Sequence, residues 1–381
     1  MTTSITGMPA NTTAVAREPG DAALPTPGPA AARALAASAC GLPIAITMGD
    51  ACGIGPEIVA KAFASSRADD CFVVGDVGVM RRALRAIGVS MPVVEIETPA
   101  DLVDCPAGCL PVLAPPGLPP DLLDAPIGRV DARAGAAAAR SIEHAVRFAR
   151  DDETPRRIAA IVTAPIHKEA LSAAGVGHPG HTEMLQALAT PGGEPSPVKM
   201  MLANEELRTV LATIHMSLRS AIDRLDFALV LETIRIAHRA SALWGQPAPR
   251  IGVAGLNPHA GEGGLFGDEE LRFIAPAVQA AREEGIDARG PFAPDTVFMR
   301  ARNATNHPGE FDLVVAMTHD HGLIPVKYLG VEQGVNVTLG LPYVRTSPDH
   351  GTAFDIAGRG TADPSSLLAA LAMARRLSGV S

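Results

Sequence analysis

The chain has 381 residues and carries 32 Lys and Arg against 41 Asp and Glu, a formal net charge of −9. That balance excludes a nucleic-acid binder, which needs a basic stripe to replace phosphate counterions, so any anionic ligand must be held by a few local cations. Hydrophobic residues make up 47% but aromatics only 3%, so the core must be Ala, Val, Leu and Ile, a mix that suits buried parallel strands under alanine-rich helices.

The length allows two lobes with a sizeable core. Cys40, Cys52, Cys71, Cys105 and Cys109 form no CxxC pair and read as free thiols in a reducing cytoplasm. The apolar run from Ala34 to Met48 follows Arg33, but more than 30 residues precede it, and its end reads as a first strand rather than a signal peptide. No uninterrupted apolar run reaches the ~18 residues of a membrane helix. A cytoplasmic protein with no membrane partner is expected.

In chain order, residues 1–41 lack apolar periodicity and read as a disordered extension. The fold is expected to begin with a strand near Leu42–Met48, which enters the glycine turn Gly49-Asp-Ala-Cys-Gly-Ile-Gly-Pro-Glu. Pro56 and Glu57 then suit a first helical turn. The turn is neither a Walker loop nor a GxGxxG fingerprint, and a structural tight turn competes with a phosphate loop. Strands follow at Cys71–Val74 and Val93–Ile96, with a helix near Val77–Ile87 between them. The proline-rich stretch from Pro99 to Pro126 reads as loop, and Ala132–Arg150 as an amphipathic helix. Its His144 has no partner motif and reads as a surface or satisfied histidine.

From Arg157 a strand, IAAIVTAP, leads into Thr163-Ala-Pro-Ile-His-Lys, and the second lobe is placed from here. In the loop GVGHPGHTE, His181 and Thr182 are candidate substrate contacts, with a helix cap by Thr182 as the competing account. Three strands then end alike. Leu207–Ile214 runs into His215, Ile251–Pro258 into His259 and Phe311–Thr318 into His319. Ligands of open α/β sheets gather at the carboxyl ends of strands, so these imidazoles are either separate loop histidines or one divalent-metal site. Finally, Met317–Gly360 packs His319, Asp320, His321, Lys327, Asn336, Arg345, Asp349 and His350 between apolar runs, the density of a lined pocket.

The segments GDACGIGPEI, TAPIHK, GHTEML, ATIH, GLNPHAGEGG, GPFAPDT, HDHGLIPVKYLG, GVNVTLGLPYVRTSPDHGTA and DIAGRG together resemble the 4-hydroxythreonine-4-phosphate dehydrogenase family. The resemblance runs from Ile44 to Ala374. It implies an isocitrate/isopropylmalate dehydrogenase-like fold, α/β, with two α/β/α lobes and the active-site cleft between them. Residues 42–156 plus 331–381 then form a nucleotide-binding lobe, and 157–330 a metal, substrate and dimerisation lobe. It implies that His215, His259 and His319 bind a divalent metal, with zinc favoured by three histidines and magnesium, manganese or cobalt as alternatives. His181, Thr182, Lys327, Asn336 and Arg345 contact substrate in this picture. Lys327 and Asp320 are the catalytic candidates, Lys327 as cation or proton shuttle and Asp320 as orienter or proton relay.

The tail HGTAFDIAGRG is similar to the wider fold's NAD loop, which makes His350, Gly351, Thr352, Ala353 and Asp355 cofactor residues. A carboxylate at Asp355 favours NAD over NADP, because a 2′-phosphate is repelled there. A homodimer with a shared site is implied. The expected reaction is oxidation and decarboxylation of 4-hydroxy-L-threonine 4-phosphate to 3-amino-2-oxopropyl phosphate, in pyridoxal phosphate biosynthesis. Departures from the family pattern lie near the cleft: Ala51-Cys52 in the glycine turn, His321 in place of glutamine, and Pro348 in place of valine. ITMGD, KEAL, PGHTEML and GTAFDIAG are closer to the paralogues acting on D-threonate or D-erythronate 4-phosphate. Those paralogues, or another cis-diol acid dehydrogenase, are the first alternative. A metal-dependent aldolase or lyase and a non-catalytic ligand-binding protein are more remote.

Overall fold

The computed structural model describes residues 41–150, 157–178, 180–190, 193, 197–243, 245–330 and 333–379. The extension assigned to residues 1–41 therefore lies outside the described residues, except for Gly41. Twelve strands form one sheet: β1 (Ile44–Thr47), β2 (Cys71–Val74), β3 (Val93–Ile96), β4 (Leu110–Leu113), β5 (Ala160–Thr163), β6 (Lys199–Ala203), β7 (Arg208–Leu211), β8 (Ile251–Ala254), β9 (Ala288–Phe292), β10 (Leu313–Ala316), β11 (Val335–Leu339) and β12 (Val344–Pro348). Their spatial order is β3-β4-β2-β1-β5-β12-β11-β6-β7-β10-β8-β9.

Strands β3 through β12 of that order are parallel to one another. Three antiparallel pairings follow, at β12–β11, β11–β6 and β6–β7. They reverse the direction, so the second parallel set, β7-β10-β8-β9, runs opposite to the first. The sheet thus has two halves joined through β11 and β6.

Both faces are covered, which is why most strands read as continuous apolar runs. Ile44 and Ile46 enter one apolar cluster and Ala45 another, the period of two that a strand imposes. The first cluster extends along one face of both halves, beneath α1 (Gly55–Ala64), α2 (Val77–Ala86), α7 (Phe227–Leu243), α8 (Ala275–Glu283) and α11 (Ser365–Ser378). On the opposite face, α3 (Ala132–Ala149), α4 (Lys168–Ala173) and α5 (His181–Ala189) cover the first half, while α9 (Val297–Ala301) and α10 (His319–Tyr328) cover the second. A short helix, α6 (Leu218–Arg224), completes the described set.

The α/β class and the helical and strand positions up to β3 agree with the sequence reading. Asp76 caps α2 by accepting from the Val79 N–H at 2.7 Å, and His144 in α3 packs edge-on against Phe148 at 5.1 Å. Two placements differ. The stretch from Pro99 to Pro126, read as loop, contains β4 between β3 and β2. Pro111 is tolerated there because β2 pairs only with Val112 and Leu113. Strand β5, placed at the start of the second lobe, pairs instead with β1 and β12 in the first half. The described cysteines Cys52, Cys71, Cys105 and Cys109 are free, and no helix among the described residues is long and apolar enough to cross a membrane.

Candidate active site

Strands β7, β10 and β8 are adjacent and parallel, so their carboxyl ends stand side by side. The loops that leave those ends carry His215, His319 and His259. His215 has φ 29° and His259 φ 51°, a left-handed backbone that costs a non-glycine residue about 1–3 kcal/mol and clusters at functional sites. The rings of His215 and His319 face each other with centroids 5.5 Å apart. His319 opens α10, and its Nδ1 lies 2.7 Å from Asp320 Oδ1. Burial, then the charges of Lys168 and His319, holds the His215 imidazole below its ordinary pKa, against an opposing pull from Glu183. His259 lines a cavity of about 680 Å³ with Asp320, His321, Phe298, Met299 and Tyr328. Among the described residues of a single chain, no three His, Cys, Asp or Glu side chains close on one metal position. The chain brings two of the three predicted imidazoles together and holds the third on the same sheet edge.

The loop that presents His259 keeps left-handed φ from His259 through Gly263. Glu270, only 3% exposed, fastens its start. Its Oε1 accepts the N–H groups of Leu256 and Asn257 at 2.7 and 2.8 Å, and its Oε2 accepts from Asn257 Nδ2 at 2.9 Å. Burial pushes this carboxyl up, but those hydrogen bonds prevail and leave it below the ordinary range. A Cβ at Gly261 would meet Glu270 Oε2 at 2.7 Å, so glycine is required there. Sequence reasoning missed Glu270, which stands third in the acidic run Asp268-Glu269-Glu270 with nothing local to distinguish it.

Arg345, in β12, is 2% exposed. Its Nη1 donates to Thr338 Oγ1 at 3.0 Å and its Nη2 to Thr163 Oγ1 at 2.6 Å, while Nε is buried without a partner. Burial brings the guanidinium down to about 10. A buried cation satisfied only by hydroxyls marks a place for an anion. Beside it, His181 opens α5, and burial followed by the Arg345 charge holds the imidazole well below its ordinary pKa. Its Nε2 is buried and unpartnered. Gly180 occupies the cap position with no side-chain cap, so Thr182 lies inside the first turn and the capping account of Thr182 does not hold.

Lys327, in the last turn of α10, pairs with Asp349 at 2.8 Å. Eight positions separate it from His319, about 12 Å along the helix axis. Asn336 is half-buried in β11, paired with Leu202 and Ser347. The dense polar stretch 317–360 is therefore spread over α10, β11, β12 and the loop beyond, with Lys327 and Asp349 brought together from two of them.

That last loop docks on the glycine turn after β1. The Ile54 N–H donates to the Thr352 carbonyl at 3.0 Å, and a Cβ at Gly53 would sit 2.9 Å from Thr352 Cβ. Glu57 accepts from the Gly358 N–H. The His167 ring stacks on Phe354 at 4.8 Å and 15°. Ala353 has φ 41°, and His350, Gly351 and Asp355 are exposed. Asp50, fully buried, accepts the Cys52 N–H at 2.8 Å. Desolvation pushes its carboxyl up to about 6, with the Cys52 hydrogen bond and the His167 charge opposing. Asp50 Oδ2, Glu57 Oε2 and His167 Nδ1 are buried without partners. Such a wall of unsatisfied acceptors beside an exposed loop fits a polar cofactor. The sequence reading gives Glu57 a place only in the first helical turn and gives Asp50 and His167 no role.

A two-halved α/β sheet carrying an edge of imidazoles, a buried guanidinium and a glycine-docked loop defines the class as a two-lobed α/β dehydrogenase. The family described as Pyridoxal phosphate biosynthetic protein PdxA matches residues 67–374, and the chain belongs to it. Over 337 residues the chain is 56% identical to 4-hydroxythreonine-4-phosphate dehydrogenase of Beijerinckia indica, covering 88% of this chain and 95% of the relative. It is 49% identical to D-threonate 4-phosphate dehydrogenase of Cupriavidus necator, covering 86% and 95% respectively. The crystal structure of 4-hydroxythreonine-4-phosphate dehydrogenase from Klebsiella pneumoniae superposes with a TM-score of 0.78 at 42% identity, covering 88% of this chain and 99% of that one. The chain is thus an oxidoreductase of the dehydrogenase type, acting on a CH–OH group.

Proposed function

We propose that the protein oxidises 4-hydroxy-L-threonine 4-phosphate with NAD, with loss of carbon dioxide, as a step towards pyridoxal phosphate. The observation that carries this reading is the alignment of His215, His319 and His259 at the ends of three adjacent parallel strands, two of them on left-handed backbone. These imidazoles would hold one divalent metal, zinc in preference to magnesium, manganese or cobalt. When bound, it would supply a Lewis acid for the substrate hydroxyl and for the keto group that oxidation leaves β to the departing carboxylate.

The chain's own groups do the rest. Arg345 and His181 receive the phosphate, with Thr182 and the uncapped first turn of α5 adding hydroxyl and N–H donors. Asp320 orients the His319 ring through its 2.7 Å contact. Lys327, held by Asp349, and Asn336 serve the anionic substrate rather than proton transfer at His319, given their separation along α10. His350, Gly351, Thr352, Ala353 and Asp355 take the nicotinamide cofactor, with Asp355 accepting from the adenosine ribose, which favours NAD over NADP. The nucleotide-binding half comprises β1 to β5 and β12 with the loop after it, so the lobe boundary falls after β5 rather than at 157.

A homodimer completes the site in this reading. Exposed Met299, Ile324 and Tyr328 line the His259 cavity, and exposed Phe266 lies against the His259 ring; exposed apolar side chains grouped in this way call for a partner. The free cysteines support a cytoplasmic location. D-threonate 4-phosphate is the second reading, favoured by the 49% identity to the Cupriavidus necator enzyme and by the likeness of ITMGD, KEAL, PGHTEML and GTAFDIAG to the threonate paralogues. The test is NADH formation by metal-loaded protein with each substrate, side by side, with NAD and NADP. Preference for the amino acid phosphate supports the proposal, and preference for the threonate replaces it with the second reading. No reduction with either overturns both.

A further inference from the structure

Lys168 opens α4 directly after the strand end that carries Thr163 and His167. It is exposed and makes no ion pair among the described residues. Its stem does not point to bulk solvent alone. A Cβ built on Gly180 would lie 3.6 Å from Lys168 Cε and 3.3 Å from Glu183 Oε2, so the aliphatic end of the lysine rests on the residue that caps α5. Glycine at 180 leaves that approach open. Near the same helix start, Arg345 is buried with an unpartnered Nε and acts on His181, whose Nε2 is also buried and unpartnered. The α5 N-terminus has no side-chain cap. Two cations on separate elements, α4 and β12, therefore lie near one uncapped helix start, beside the Glu183 carboxylate, and the N–H groups of that start carry the positive end of the dipole.

We propose that Lys168 is a substrate-binding residue, supplying a second positive charge, besides Arg345, to the substrate phosphate at the start of α5. This rests on the phosphorylated-substrate reading above. The division of labour follows from exposure. Arg345 is fixed by two threonines inside the sheet and sets geometry, whereas Lys168 is a mobile point charge at the rim, able to follow the phosphate in and out.

The experiment compares wild type, Lys168→Gln and Lys168→Arg by calorimetric titration with inorganic phosphate, 4-hydroxy-L-threonine 4-phosphate and NAD. Loss of a charge-assisted contact predicts about tenfold or greater weakening of both phosphate-bearing ligands in the Gln variant. Partial recovery with Arg and unchanged NAD affinity are expected alongside. Unchanged phosphate affinity in the Gln variant overturns the inference, as does equal weakening of NAD, which assigns Lys168 to the cofactor or to loop structure. Wild type that binds neither phosphate-bearing ligand overturns the phosphorylated-substrate reading and this inference with it, a failure visible before any variant is made.

Discussion

Asp50 offers a quantitative check on how the glycine turn is built. Its carboxylate is fully buried with one oxygen unpartnered, and desolvation raises its pKa from 3.8 to about 6. Above pH 6 the folded chain must carry this buried charge, whereas well below pH 4 the group is protonated in both folded and unfolded chains. Stability associated with the protonated carboxyl is therefore lost as pH rises through about 6. At about 1.4 kcal/mol per pKa unit, the full penalty is about 3 kcal/mol. Asp50→Asn removes it while keeping an oxygen for the Cys52 N–H. Urea unfolding of both proteins should then show the Asn variant more stable by about 1 kcal/mol at pH 4.5, rising to about 3 kcal/mol at pH 8. Every other titrating group cancels in the difference to first order. A stability difference that stays constant across this range would refute the argument.

Two further substitutions probe the site. Arg345→Met removes a cation whose burial is costly and two hydrogen bonds worth about 1 kcal/mol each, so the unliganded protein should keep its stability within about 1–2 kcal/mol. Thermal stabilisation by added phosphate should vanish in that variant, and stabilisation equal to wild type would remove Arg345 from the anion site. Glu270→Gln keeps one oxygen for the N–H groups of Leu256 and Asn257 but turns an amide donor towards the Asn257 Nδ2 donor, and should cost about 1–3 kcal/mol in urea unfolding. It should also weaken metal binding by loosening the His259 loop. Unchanged stability and metal affinity would show that the loop holds its left-handed path without that carboxylate.

Much of this was legible from local pattern, and each failure has a physical cause. Cys71–Val74 and Val93–Ile96 were read with their observed limits because short runs rich in β-branched residues lie between clear breakers. Leu110-Pro-Val-Leu was passed over because proline speaks against a central strand, and only the register shows β2 engaging beyond Pro111. The second-half placement of β5 failed for a different reason: strand partners β1 and β12 are distant in sequence, and no local signal reports them. The shared strand-then-histidine pattern picked out His215, His259 and His319, although their adjacency depends on the spatial order β7-β10-β8, which is not chain order. Asp50, Glu57 and Glu270 were invisible because a buried acid looks like any other until tertiary packing closes over it. The motif resemblance supplied Arg345 and His181, but that two threonine hydroxyls hold Arg345, with no carboxylate bonded to it among the described residues, emerged only from the fold.

The account stands most directly on the imidazole edge. Purified protein stripped with a chelator and reloaded should bind one divalent ion per chain by elemental analysis after dialysis. His215→Ala, His259→Ala and His319→Ala should each lose that ion and all NADH formation while keeping the wild-type circular dichroism spectrum. A folded His259→Ala protein that turns over at the wild-type rate without metal would contradict the assignment.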